Sequence, residues 1–211
     1  MPNQRGNAYA LTSLCPLIRN TGEDESAAAR LRDRLNDLPT NEDSPFARVP
    51  NTYFVRLFVL DSLPYEGEPA RLDVLQNQYL VFIVDFHGLL DTYLDGLWEH
   101  AARDVRALWA DCVGFSKVKD AVSFAGYIKR CQVTTTFYFN GSNDAPLAEQ
   151  KKALYLKQEF SSFVAEHQGQ SAASLHAAFL RFIERTRPSE LTGPTWRAGA
   201  SDLSRAVVEV A

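Results

Sequence analysis

Tyr79-Leu-Val-Phe-Ile-Val-Asp-Phe-His-Gly88 runs straight into Leu89-Leu-Asp-Thr-Tyr-Leu-Asp-Gly-Leu-Trp98. The first part is a short apolar run rich in β-branched and aromatic residues. It is strand-sized rather than helix-sized, and it reads as a buried strand over Gln78–Asp85. The second part sets Leu90, Tyr93, Leu94, Leu97 and Trp98 at three- and four-residue intervals. Ala101, Val105 and Leu108 continue the stripe, so this is one core-facing helix reaching about Ala110. Between strand and helix, a Phe86-His87-Gly88 turn puts an ionisable side chain at a strand end.

Upstream, Asn7–Ile18 reads as a first strand, with Tyr9, Leu11 and Ser13 on one face and Ala10, Thr12 and Leu14 on the other. Asn20-Thr-Gly-Glu-Asp-Glu25 is a turn whose acids favour the positive end of the helix that follows, Ser26–Leu38. Ala27, Leu31, Leu35 and Leu38 form the apolar stripe of that helix, and Arg30, Arg32, Asp33 and Arg34 are expected to face water. Thr40–Pro50 reads as a polar loop and Thr52–Asp61 as a second strand. The connection over residues 62–76, with Pro64, Gly67 and Pro69, predicts a hairpin with a mobile tip.

Downstream, Ser116 is read as the cap of a helix over Ser116–Ile128, and Val133–Asn140 as a fourth strand ending in an Asn140-Gly-Ser-Asn143 turn. Helices follow over Pro146–His167 and Ser171–Arg185, divided by Gly169. The order predicts an α+β fold whose core is a split β-α-β-β-α-β pattern, a ferredoxin-like four-stranded antiparallel sheet with additional C-terminal helices. Residues 1–188 are expected to form one domain, with helices over about residues 146–186 as its cover. Residues 189–211 are expected to be a partly ordered tail unless Trp196 anchors it.

The 211 residues carry 22 basic and 26 acidic side chains, a net charge of −4, with the basic residues scattered. That balance argues against nucleic acid as a partner. No apolar run approaches the ~20 residues that span a bilayer. The start, Met1-Pro-Asn-Gln-Arg-Gly6, lacks the apolar core of a signal peptide, so a soluble, cytoplasmic protein is expected. Cys15, Cys112 and Cys131 are odd in number and widely spaced. The plain reading is reduced, half-buried thiols; a reactive thiol is the alternative. Neither the cysteines nor the four histidines have metal-ligand spacing, and no Gly-rich phosphate loop or Gly-x-Ser-x-Gly elbow is present.

The Asn7-Ala-Tyr-Ala-Leu-Thr12 strand, the Phe54-Val-Arg-Leu-Phe-Val-Leu-Asp61 strand and the Tyr79–Leu94 segment together resemble a bacterial group of dimeric α+β-barrel (ferredoxin-like) proteins, over roughly residues 7–165. In that group the third strand ends in a Ser-Asn-Phe-Asp-Gly-like turn before an Asp-x-Tyr helix. Some members occur beside, or fused to, haem peroxidase or catalase-like domains, and the topology is distantly similar to dye-decolourising peroxidases. The resemblance therefore implies a homodimer, an oxidoreductase partner, and haem as a candidate cofactor for which this chain has no motif. The Gly-x-x-Asp-Gly motif of dye-decolourising peroxidases is absent. His87 replaces the acid of the group's turn, and Asp85 takes the Asn-like position.

The candidate catalytic groups are accordingly His87 and Asp85, with Asp91 a further acid nearby. The competing reading makes His87 a turn residue and Asp91 a first-turn acid answering the helix dipole. His167 and His176 flank a helix break and are weighed as haem ligands against exposed helix ends, and His100 reads as a surface residue. Tyr53, Phe54, Phe58, Phe82, Phe86, Phe137, Tyr138 and Phe139 alternate across the expected sheet, either as core or as the lining of an apolar cavity. Arg56, Phe58, Phe82, Phe86 and Tyr138 are the candidate binding residues. Arg56 needs a ligand carboxylate or another anion if it points inward. Two expectations follow: a small-molecule-binding or accessory protein serving an oxidoreductase, or an enzyme in a sheet-lined cavity, haem-dependent and peroxidase-like or a cofactor-free oxygenase.

Overall fold

The computed structural model describes residues 3–19, 26–63, 67–69, 73–141 and 143–198. The expected turn over residues 20–25, most of the tip near residues 64–72, Ser142 of the 140–143 turn and the tail beyond residue 198 fall wholly or partly outside the described residues. Two compact units divide the chain, residues 1–144 and 145–211.

The first unit is α+β. Its strands are β1 (Gln4–Arg5), β2 (Ala8–Pro16), β3 (Thr52–Leu63), β4 (Asp73–His87) and β5 (Gln132–Val133). Its helices are α1 (Ala27–Asn36), α2 (Leu90–Leu108) and α3 (Ala121–Cys131). All pairings are antiparallel. β4 is central, with β2 on one edge and β3 on the other, and the far edge of β2 takes both β1 and β5.

β4 starts earlier and ends later than the Gln78–Asp85 reading, and it continues through His87. Its backbone stays extended over this length because both edges are hydrogen-bonded to neighbours. Leu80, Phe82, Val84 and Phe86 are fully buried on the helical side. There Phe82 meets Trp109 edge-on with ring centroids 5.2 Å apart, Trp109 meets Phe124 at 6.0 Å, and Phe86 stacks between Tyr9 at 5.2 Å and Tyr93 at 4.0 Å. Such rings each bury a large apolar area and add about 0.5–1.5 kcal/mol per well-placed pair. The predicted α2 stripe is the buried one, from Tyr93 to Leu108.

Four expectations change. First, the fourth strand stops after two residues, so Val133–Asn140 is not a strand. The N-terminal turn holds the edge it would have used: Ala10 N–H donates to the Asn3 carbonyl (2.8 Å), and the Asn3 side chain donates to Ala10 O (3.1 Å) and accepts from Thr135 N–H (3.2 Å). Second, Asp120, not Ser116, caps the third helix, through a capping box in which Asp120 Oδ1 accepts from Ser123 N–H at 2.8 Å. Third, the Thr40–Pro50 loop contains a 3₁₀ turn, Pro45–Arg48, that buries Phe46 against Phe82. Fourth, Arg30 and Arg34 do not simply face water. Both reach Asp111 beyond the end of α2, Arg30 at 2.6 Å.

The second unit is described by itself. It holds α4 (Leu147–Glu166) and α5 (Ala172–Thr186), joined through Gly169 at φ 74° and capped at Ser171. Phe163, Ala178 and Phe182 make its small core. The buried Lys152 ammonium donates to the carbonyls of Thr186 (2.7 Å) and Pro194 (2.8 Å), which ties the chain after α5 back to α4. Among the described residues no helix is long and apolar enough to cross a membrane.

The Arg30–Asp111–Arg34 clasp carries a pH signature. Partial burial pushes the Asp111 carboxyl up, but the hydrogen bonds from Arg30 and Arg34 outweigh it and hold the group below its ordinary value. A depressed carboxyl contributes stability that is full above its unfolded value and is lost as pH falls through the folded one. Asp111→Asn should cost about 1–3 kcal/mol near neutrality. Urea unfolding of both proteins should show that gap closing as pH drops below about 4; a gap that persists in acid would mean the clasp is not ionic.

Candidate functional site

Strand alternation gives β4 a second face, carrying Tyr79, Val81, Ile83, Asp85 and His87, opposite the helical side. The register lays Phe54 and Ala10 beside Asp85, Arg56 and Thr12 beside Ile83, and Phe58 and Leu14 beside Val81. Phe54 and Phe58 remain 44% and 41% exposed. This face therefore gathers Asp85, His87, Arg56 and Phe58. Phe82 and Phe86 lie on the other face, fully buried in the core.

Because β4 runs through His87, Asp85 and His87 share a face. Gly88 ends the strand at φ 104°, a conformation suited to glycine, and its N–H donates to Asn7 O at 2.7 Å. His87 Nδ1 lies 2.9 Å from the Asp144 carbonyl oxygen and 3.2 Å from the Tyr53 hydroxyl, whose ring meets the imidazole edge-on. A carbonyl only accepts, so Nδ1 carries the proton and donates to it. In the neutral ring, Nε2 is then the basic nitrogen, and it has no hydrogen-bond partner among the described residues.

The Asp144 carboxylate is held below its ordinary range, first by the Asn7 N–H it accepts (2.7 Å) and also by His87. A side chain on Gly6, at φ 59°, would collide with that carboxylate, so the close approach needs glycine. Asp85 goes the other way: burial raises its pKa, opposed by the Arg56 guanidinium one register pair away. The Tyr138 hydroxyl is also pushed up, by burial and then by the charge of Asp85. Arg56 stacks 5.4 Å over the Phe54 ring. The cluster thus joins a carboxyl whose pKa burial raises, an imidazole with one unengaged nitrogen, a phenol and a guanidinium on an apolar floor. It can bind a molecule with an acidic head, or move a proton.

The other sequence candidates lie apart. Asp91 pairs with Lys129 in the first turn of α2 and does not engage His87. His100 and His176 are exposed on helices. His167 donates from Nδ1 to Phe163 O (2.9 Å) and stacks on that ring at 4.5 Å, in an open groove of about 780 Å³ along α4 and α5. A haem needs an apolar slot around its ring. One face of His167 is already taken, and beside His87 stand the Tyr53 phenol and the Asp144 carboxylate, so the described surroundings do not fit that cofactor. Among the described residues no group of three or more His, Cys, Asp or Glu is placed to hold a metal ion. Asp144 and Tyr53 complete the His87 site. Spacing could not reveal Asp144, which lies 57 residues along the chain.

Compared with models of protein families, with curated proteins and with solved structures, the chain matches none.

The raised Asp85 carboxyl predicts a local cost of carrying charge. Stability from a raised carboxyl is full below its unfolded value and is lost as pH rises through the folded one. Asp85→Asn should therefore unfold at higher urea than the native chain near neutrality, by under about 1 kcal/mol because the group is only partly buried. Equal stability at neutral pH would contradict the burial of this carboxyl.

Proposed function

We propose that this chain is a binding protein built on a ferredoxin-like layer, holding a small apolar molecule with an acidic head on the open face of its sheet. The observation that carries the reading is one face on which exposed Phe54 and Phe58 adjoin Arg56, Asp85 and His87. The aromatic floor supplies apolar contact, the Arg56 guanidinium is suited to a carboxylate, and the Tyr138 hydroxyl, which feels the charge of Asp85, can donate to it. Phe82 and Phe86 act in this reading as core behind the floor. The ferredoxin-like reading is supported by the strand order β5–β2–β4–β3, with the last strand, β5, beside β2, the first long one. That fold leaves one sheet face to be covered, and a second copy is the cover proposed here, with the ligand between the sheets. The resemblance adds an oxidoreductase as the protein it serves.

A second reading is favoured by one observation, the unengaged His87 Nε2: an enzyme on the same face, with His87 taking a proton and Asp85 supplying one, without a cofactor.

Decanoate, an apolar carboxylate, is the probe. Calorimetry should detect binding to the native protein, weakened about tenfold by Arg56→Ala and abolished by Phe58→Asp. Light scattering should report twice the 23.6 kDa chain mass, reverting to one chain in Phe58→Asp. A native protein of single-chain mass that ignores decanoate would sink the proposal.

A further inference from the structure

We infer that Cys131 is a redox-active thiol attacked by small hydroperoxides, and that Cys15 is the thiol that closes a disulfide with it. This site lies on the helical side of the sheet and is independent of the ligand face proposed above.

Three cysteines that are far apart in sequence meet at one corner of the first unit. α3 ends at Cys131, and β5 pairs Gln132 with Ser13 and Val133 with Thr12, which lays Cys131 against the Leu14–Cys15 stretch of β2. Cys112 arrives by a bridge to Leu17, backed by Val113 N–H donating to Pro16 O at 2.8 Å. All three thiols are free. Trp109 Nε1–H donates to Cys15 Sγ at 3.3 Å, and Ser13 Oγ lies 3.9 Å from the same sulfur.

Access divides the three. Cys15 and Cys112 are fully buried, whereas Cys131 is half-buried and lines a cleft of about 310 Å³. Lys117, Arg130, Tyr127 and Ser123 also line that cleft, so a small polar oxidant can reach one sulfur only, beside two cations. The negative charge gathers on the same sulfur. The hydrogen bond from Cys15, then those of Tyr127 and the charge of Arg130, draw the Cys131 thiol down to about 7 against the cost of burial. Cys15 moves the opposite way, raised first by Cys131 and then by burial, and burial lifts Cys112 to about 12. A thiolate is the nucleophile, so the accessible cysteine is also the reactive one.

The chemistry balances in two steps. The Cys131 thiolate attacks the outer oxygen of a hydroperoxide; an S–O bond forms, the O–O bond breaks, and the departing alkoxide takes a proton to leave as alcohol or water. Sulfur is oxidised by two electrons to the sulfenic acid, and the peroxide is reduced. Cys131 then no longer carries the negative charge that opposed ionisation of Cys15. The Cys15 sulfur attacks the Cys131 sulfur, the S–S bond forms, the S–O bond breaks, and hydroxide leaves with the Cys15 proton as water.

The test uses native protein, brief exposure to hydrogen peroxide, alkylation of the remaining thiols, and peptide mapping by mass spectrometry. The expected product is a Cys15–Cys131 cross-linked peptide, lighter by two hydrogen atoms than the pair of reduced peptides, with Cys112 alkylated. Without peroxide, iodoacetamide should label Cys131 about threefold faster than a free cysteine peptide at neutral pH, its larger thiolate fraction outweighing the lower nucleophilicity of a low-pKa thiolate. In Cys15→Ser, checked for folding by circular dichroism, dimedone should trap Cys131 sulfenic acid. A Cys131 still free after peroxide, or a cross-link that uses Cys112, would overturn the inference; the native measurement decides it even if Cys15→Ser does not fold.

Discussion

β4 is hydrogen-bonded along both edges, to β2 from Ala8↔His87 to Pro16↔Tyr79 and to β3 from Thr52↔Phe86 to Leu63↔Asp73. A strand held this way cannot slip by one residue without turning its whole core face outward. Leu80, Phe82, Val84 and Phe86 are the residues such a slip would expose, and they anchor the aromatic stack through Trp109, Phe124 and Tyr93. Every later placement follows from that register. It sets where α2 begins, which side the helices take, and which side is left for Asp85, His87, Arg56 and Phe58.

The two faces do opposite energetic work. The helical face concentrates dispersion and apolar burial, and its few polar groups are satisfied locally, as Trp109 Nε1 is by Cys15 Sγ and the Tyr93 hydroxyl by Thr52 Oγ1 at 3.1 Å. The open face holds a carboxyl pushed up by burial and leaves aromatic rings exposed, neither of which favours stability. Groups kept against stability are where a site is sought first. The clasps that hold this layout are charged and peripheral: Arg30 and Arg34 on Asp111, and Asp144 on Asn7 N–H.

Much of the fold was legible because period and capping are local properties. The Leu90–Leu108 stripe, the alternation around Phe82 and the helix starts near Ser26 and Ser171 could each be read from a dozen residues. The failures share a non-local cause. Val133–Asn140 has strand composition, but Asn3, 132 residues away from Thr135, occupies the edge it needed. Arg30 and Arg34 read as solvated until the chain returns with Asp111, 81 and 77 residues on. Ser116 was a plausible cap, yet Asp120 with Ser123 forms the reciprocal box four residues later.

The candidate sites divide along the same line. The sequence by itself determined that Asp85 and His87 sit near a strand end and that Arg56 and Phe58 share one face of a neighbouring strand, because alternation is written residue by residue. Only the tertiary structure decided that the strand continues through His87, that Asp144 and Tyr53 engage its Nδ1, and that three scattered cysteines converge under Tyr127 and Arg130. Those outcomes depend on strand register and on where loops return. Register comes from the summed pairing and burial of whole strands, and no local pattern encodes it.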